Sequence, residues 1–131
     1  MTAEERQTLI TLQHSKALRF LKDADDMVEQ QRWDMAANRY YYACFHAVQS
    51  LFIKDGLSAH KHSSLVSLFS QHYVKTGKAS IHYGGFLARM MQLRQKADYN
   101  CYYDIDEKDV KEIVSLSHDF ITMISSLIEM E

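Results

Sequence analysis

The sequence predicts an all-α domain, an up-down bundle of four to five helices. Three observations predict it. The chain has no proline and only four glycines, so the turn punctuation of a β fold is missing. Apolar residues make up 47% of it, too many for a disordered polar chain. Those residues recur at three- and four-residue spacing along most of its length, the period of a helix with one buried face. At 131 residues the chain can bury one core and not two, so residues 1–131 are read as a single domain.

Ile10, Ala17, Leu21, Ala24 and Val28 form the stripe of a first amphipathic helix that ends near Gln31. Asp34 is suited to cap a second helix, which runs to about Lys54 and stops at Gly56. Ala36, Ala37, Tyr40, Tyr41, Ala43, Cys44, Ala47, Val48 and Leu51 surround much of that helix, so it should pack on both sides and lie at the centre. A third helix, from about Lys61 to Thr76, carries Leu65, Leu68, Phe69 and Tyr73, has serines suited to a cap, and is stopped by Gly77.

A break is expected at Gly84-Gly85, followed by a fourth helix with two faces. Phe86, Met90, Leu93 and Ala97 make one; Leu87, Met91, Arg94 and Asp98 make the other. Residues 100–104 are read as a loop. Asp106 and Asp109 then open a last helix with the stripe Val110, Ile113, Ser117, Phe120, Ile124 and Leu127, running nearly to Glu131. Short connections and the absence of an internal repeat or linker favour antiparallel neighbours.

The bulk numbers exclude some classes of function. A formal net charge of -2, with seven histidines counted neutral, gives no global positive field for nucleic acid or anionic lipid, so any RNA contact must be local. Cys44 and Cys101 form neither a disulfide framework nor a CxxC pair, which fits a reducing compartment. The opening MTAEERQTLI is polar and acidic, and no run of 18 apolar residues exists, so neither export nor membrane insertion is expected and the location is read as cytoplasmic.

Two sets of residues carry candidate chemistry. Arg39, Tyr42, His46 and Gln49 lay a polar stripe across an otherwise apolar second helix. Arg39 offers a rigid fork for phosphate, and a histidine with an ordinary pKa of about 6.5 moves protons near neutrality. The same stripe is equally suited to hydrogen bonds that set packing register, within the chain or across a self-association seam. On the fourth helix, Arg94 and Asp98 are four residues apart with Tyr99 adjacent. As an ordinary surface pair they add only about 0.2–0.5 kcal/mol; as a site, Arg94 anchors phosphate while Asp98 or Tyr99 orients or handles protons. His60, His62, His72 and His82 lack a recognised ligand spacing, so no metal or other cofactor is expected. Tyr99, Tyr102 and Tyr103 group near a loop, where they either stack bases or cover the bundle end.

The strings NRYYYACFHAVQSLFIKDGL, HKHSSLVSLFSQHYVKTG and LRQKADY occur in that order and together resemble the HEPN superfamily. The resemblance is to its small stand-alone branch, with an R-x-YYA-x-FHA helix and an R-x-x-ADY helix end, and it spans Ala17 to Phe120. It implies a helical bundle that dimerises through its central helices, often encoded beside a separate minimal nucleotidyltransferase in a toxin and antitoxin pair. It also implies a metal-independent ribonuclease, in which an R-x4-6-H motif near the dimer seam promotes attack by the RNA 2'-hydroxyl. This chain departs from that motif: Asp98 and Tyr99 stand where a histidine would follow Arg94. Arg39 and His46 match R-x6-H in form, but on the YYA helix. The candidate site is thus Arg94, Asp98, Tyr99, Arg39 and His46. Two readings follow: the toxin-like or RNA-directed half of a two-component module, or a non-catalytic module that binds a nucleotidyltransferase partner or a nucleotide.

Overall fold

The computed structural model describes residues 1–100 and 104–130, and the expectations that rest on Cys101, Tyr102, Tyr103 and Glu131 fall outside the described residues. The described residues form five α-helices: α1 (Ala3–Glu29), α2 (Trp33–Lys54), α3 (His62–Phe69), α4 (Ile81–Tyr99) and α5 (Glu107–Glu129). A π-helical turn, Ser70–Val74, extends α3. This is the predicted all-α bundle. Its core sits around α2, which packs chiefly on α1 and also on α5 and α4.

Helix α1 starts with a capping box. Thr2 Oγ1 accepts from the Glu5 amide at 3.0 Å, and the Thr2 amide donates to Glu5 Oε2 at 3.3 Å, which satisfies two otherwise orphaned donors. Ala17 and Ala24 are fully buried on the side facing α2. On α2, all nine apolar residues of the predicted set are buried, joined by Phe52 and Ser50. Ser50 Oγ donates to the Ile10 carbonyl at 2.8 Å, a buried tie between the two helices. The many alanines permit this close approach.

The expected Asp34 cap is corrected by the reversal between α1 and α2. Gln31 takes a positive φ of 58°, and the Arg32 amide bonds back to the Met27 carbonyl at 2.9 Å. That locks Arg32 as the N-cap and leaves Asp34 in the first turn, where its charge complements the helix dipole. Gly56 and Gly77 both have positive φ, 73° and 82°, as expected of residues that end helices.

The third helix is shorter and less regular than its sequence suggests. Lys61 is its N-cap with no side-chain capping bond, so the serines do not cap it, and the π turn takes over after Phe69. Tyr73 on that turn is stacked between Phe52 and Phe69, at 6.0 and 5.5 Å between ring centroids, and its hydroxyl donates to Asp55 at the end of α2. The predicted break at Gly84-Gly85 is absent, because α4 begins at Ile81 and carries both glycines inside it. Packing explains Gly84: a Cβ there would come within 3.1 Å of Val74 Cγ2, so the glycine lets the π turn lie against α4.

Helix α5 matches its prediction. Asp106 Oδ1 accepts from the Asp109 amide at 2.9 Å and the Asp109 carboxylate accepts in return, and the whole predicted stripe from Val110 to Leu127 is buried. The helix is tied to the rest at its middle and at its C-terminal end. His118 meets Asp25 of α1 at 2.8 Å, and Lys54 Nζ donates to the Leu127 carbonyl at 2.8 Å.

Candidate functional site

A cleft of about 530 Å³ opens between α2, α4 and the start of the segment that leads into α5. Arg39, Asn38, Tyr41 and Asp34 line it from α2, Arg94, Asp98 and Leu93 from α4, and Asp104 and Ile105 close one side. Two arginines 55 positions apart in the sequence therefore face one space, which neither helix could create alone.

Arg94 is held by aromatic faces. Its guanidinium carbon lies 5.4 Å from the centroid of Tyr41 and 6.0 Å from that of Tyr42, within cation–π range. Its Nε is 3.4 Å from Asp98 Oδ2, an ion pair, but is aligned for no hydrogen bond among the described residues. The side chain is 19% exposed and Asp98 43%. Arg94 is thus positioned by the two tyrosine rings, by a hydrogen bond to Tyr42 and by Asp98, without being consumed by a bidentate carboxylate. Arg39 is held similarly: it donates to Asn38 Oδ1 at 2.8 Å, and its guanidinium lies 5.0 Å over the Phe20 ring of α1.

The other two candidates fall elsewhere. Tyr99, the last residue of α4, is 80% exposed and does not line the cleft. His46 turns toward α1, where Gln13 Oε1 accepts from its Nδ1 at 2.8 Å and Phe20 packs edge-on at 5.4 Å. Burial, reinforced by the charge of Lys16, pushes its pKa down to about 4, so it is a neutral ring at neutral pH. Gln49, the end of the same stripe, donates to the Ala59 carbonyl at 3.4 Å. The stripe is therefore divided: Tyr42 packs on Arg94, Arg39 lines the cleft with its guanidinium over Phe20 of α1, and His46 and Gln49 make packing bonds.

One residue beside the site was not singled out for it by sequence reasoning. His62, the first residue of α3, hydrogen-bonds through Nδ1 to the Tyr41 hydroxyl and packs on Phe45 at 4.8 Å, Tyr41 at 5.6 Å and Tyr42 at 6.1 Å. Arg94 and His62 thus share the same two tyrosines. Burial lowers the His62 pKa, Arg94 lowers it further, and Asp98 opposes both. No local spacing signals this contact, because α3 reaches the site from a separate part of the chain.

Cys44 is buried beside Ser117, and burial pushes its thiol up to about 12, which rules out a thiolate nucleophile there. Among the described residues no three His, Cys, Asp or Glu side chains are grouped to hold a metal ion, and no helix is long and apolar enough to cross a membrane.

An all-α bundle with an arginine-bearing cleft between its second and fourth helices fits a protein family that the sequence matches directly. The HEPN domain model matches residues 13–127, and the chain belongs to the HEPN domain family. Among its relatives is a UPF0332 protein of Thermotoga maritima, 34% identical over 125 residues that cover 95% of each chain. Two proteins of Methanocaldococcus jannaschii each carry the name "Putative toxin". One is 27% identical over 96% of this chain and 90% of its own, the other 24% identical over 81% and 72%.

Proposed function

We propose that this chain is a toxin-like HEPN protein that binds RNA at the Arg39–Arg94 cleft and cleaves it without a metal ion. The convergence of two arginines on one cleft carries the reading, with Arg94 held on tyrosine rings where its guanidinium faces the cleft as a phosphate anchor. The toxin names of the two archaeal relatives agree with it. In the reaction, an RNA 2'-hydroxyl attacks the neighbouring phosphorus and the bond from phosphorus to O5' breaks. A 2',3'-cyclic phosphate and a free 5'-hydroxyl result. Arg94 offsets the charge that builds on the phosphate oxygens, and Asp98 keeps Arg94 oriented. We also propose that the active species is a homodimer and that a separate nucleotidyltransferase chain restrains it.

A second reading has its own support. Asp34, Asp98 and Asp104 line the same cleft, three carboxylates against two guanidinium groups, which disfavours a long polyanion and suits a small nucleotide or a partner protein.

Induced expression in a bacterial host tests the first reading. Wild-type protein should arrest growth and leave cellular RNA cut, and Arg94→Ala of the same oligomeric state should do neither. Folded wild-type protein that leaves growth and RNA intact would contradict it, as would toxicity that survives Arg94→Ala.

A further inference from the structure

We propose that His62 is the catalytic proton acceptor of the Arg94 site, reaching it from α3; the inference rests on the ribonuclease reading above. Cleavage by a 2'-hydroxyl needs a group beside the phosphate anchor that takes up a proton near neutrality. Several of the described groups around Arg94 are poorly suited to that role. Tyr41 is 3% exposed, and burial holds its phenol well above the range in which it ionises. Asp98 is committed to Arg94. His46 is tied to Gln13 on the α1 side. Among the described residues, His62 is the imidazole that packs on the same tyrosine pair that supports Arg94.

The contact with Tyr41 is open to a tautomer in which Nε2 is the working nitrogen. The Tyr41 hydroxyl has one proton and two neighbours, His62 Nδ1 and Met91 Sδ, the latter at 3.9 Å. With the hydroxyl turned to sulfur, its oxygen accepts from Nδ1–H and Nε2 presents a lone pair, with the ring braced by Phe45. In the step itself, Nε2 takes the proton of the 2'-hydroxyl as the bond from O2' to phosphorus forms. The bond from phosphorus to O5' breaks, and the departing oxygen takes a proton from water. Among the described residues, the charges and titratable groups facing His62 are Tyr41 and Tyr42 of α2 and Arg94 and Asp98 of α4, with His60 and Lys61 beside it in the chain. Burial, reinforced by Arg94 and opposed by Asp98, lowers the imidazole pKa, so the acid limb of activity lies below the ordinary histidine value.

The test combines two measurements on the full chain. The first is the pH profile of kcat/KM on a labelled RNA for wild type, His62→Gln and Tyr41→Phe, with helical content checked by circular dichroism. The second is an NMR titration of the His62 ring. Expected are an acid limb below pH 6.5 in wild type, a loss of about 100-fold or more with disappearance of that limb in His62→Gln, and a moved limb in Tyr41→Phe. The His62 titration should follow the wild-type limb. If wild type cleaves RNA and His62→Gln keeps both rate and limb, His62 is not the base while the ribonuclease reading stands. If wild type does not cleave, the ribonuclease reading falls and takes this inference with it.

Discussion

Lowering the pH from 7 to 4.5 should destabilise the fold through His46, and replacing that residue should remove the effect. The ring lies between α1 and α2, bonded to Gln13 and edged by Phe20, and its pKa in the folded chain is about 4. In the unfolded chain the value returns to about 6.5. Between those two values the unfolded state binds a proton that the folded state refuses. Stability is therefore complete above pH 6.5 and is lost as the pH falls toward 4. Each tenfold change in proton affinity is worth about 1.4 kcal/mol, which bounds the loss at about 3 kcal/mol. The ring keeps some contact with solvent, so about half of that bound, 1 to 2 kcal/mol, is expected. Urea unfolding of wild type and His46→Gln at both pH values isolates the effect, because glutamine keeps a donor for Gln13 and does not titrate. The reasoning fails if the two proteins lose the same stability between pH 7 and 4.5. It fails equally if NMR shows His46 titrating near 6.5, as a histidine open to a substrate would.

Two further outcomes follow from the packing. Tyr40→Phe removes the hydroxyl that donates to Asp25, a carboxylate shared with His118, and should cost about 1–3 kcal/mol in thermal or urea unfolding. Asp106→Ala removes the side-chain half of the α5 capping box and should cost about 1 kcal/mol, with faster amide exchange confined to the first turn of α5.

Where the fold was legible in the sequence, one chain segment carried all the information. The α2 apolar set, the α5 stripe with its aspartate cap, and the left-handed Gly56 and Gly77 each depend on local period or local backbone geometry. The misreadings depended on a second segment. Gly84 looks like a breaker until the π turn is seen to press Val74 against it, and Asp34 looks like a cap until Gln31 and the Arg32–Met27 bond place the helix start earlier. The site divides the same way. Arg94 and Asp98 are neighbours on one helix turn, and their pairing was readable from spacing alone. The approach of Arg39 to the same cleft, and the departure of His46 toward α1, follow from how α2 is rotated between its neighbours. His62 meets Tyr41 from 21 residues away, so only the assembled bundle shows it.

The central claim, that Arg94 anchors RNA for metal-independent cleavage, is tested most directly by incubating purified protein with labelled RNA in excess chelator, beside Arg94→Ala of confirmed oligomeric state. The account predicts fragments ending in 2',3'-cyclic phosphate from wild type and intact RNA from the variant. Intact RNA from both, even at high protein concentration, would contradict it and favour the binding module; equal cleavage by both would remove Arg94 from the site.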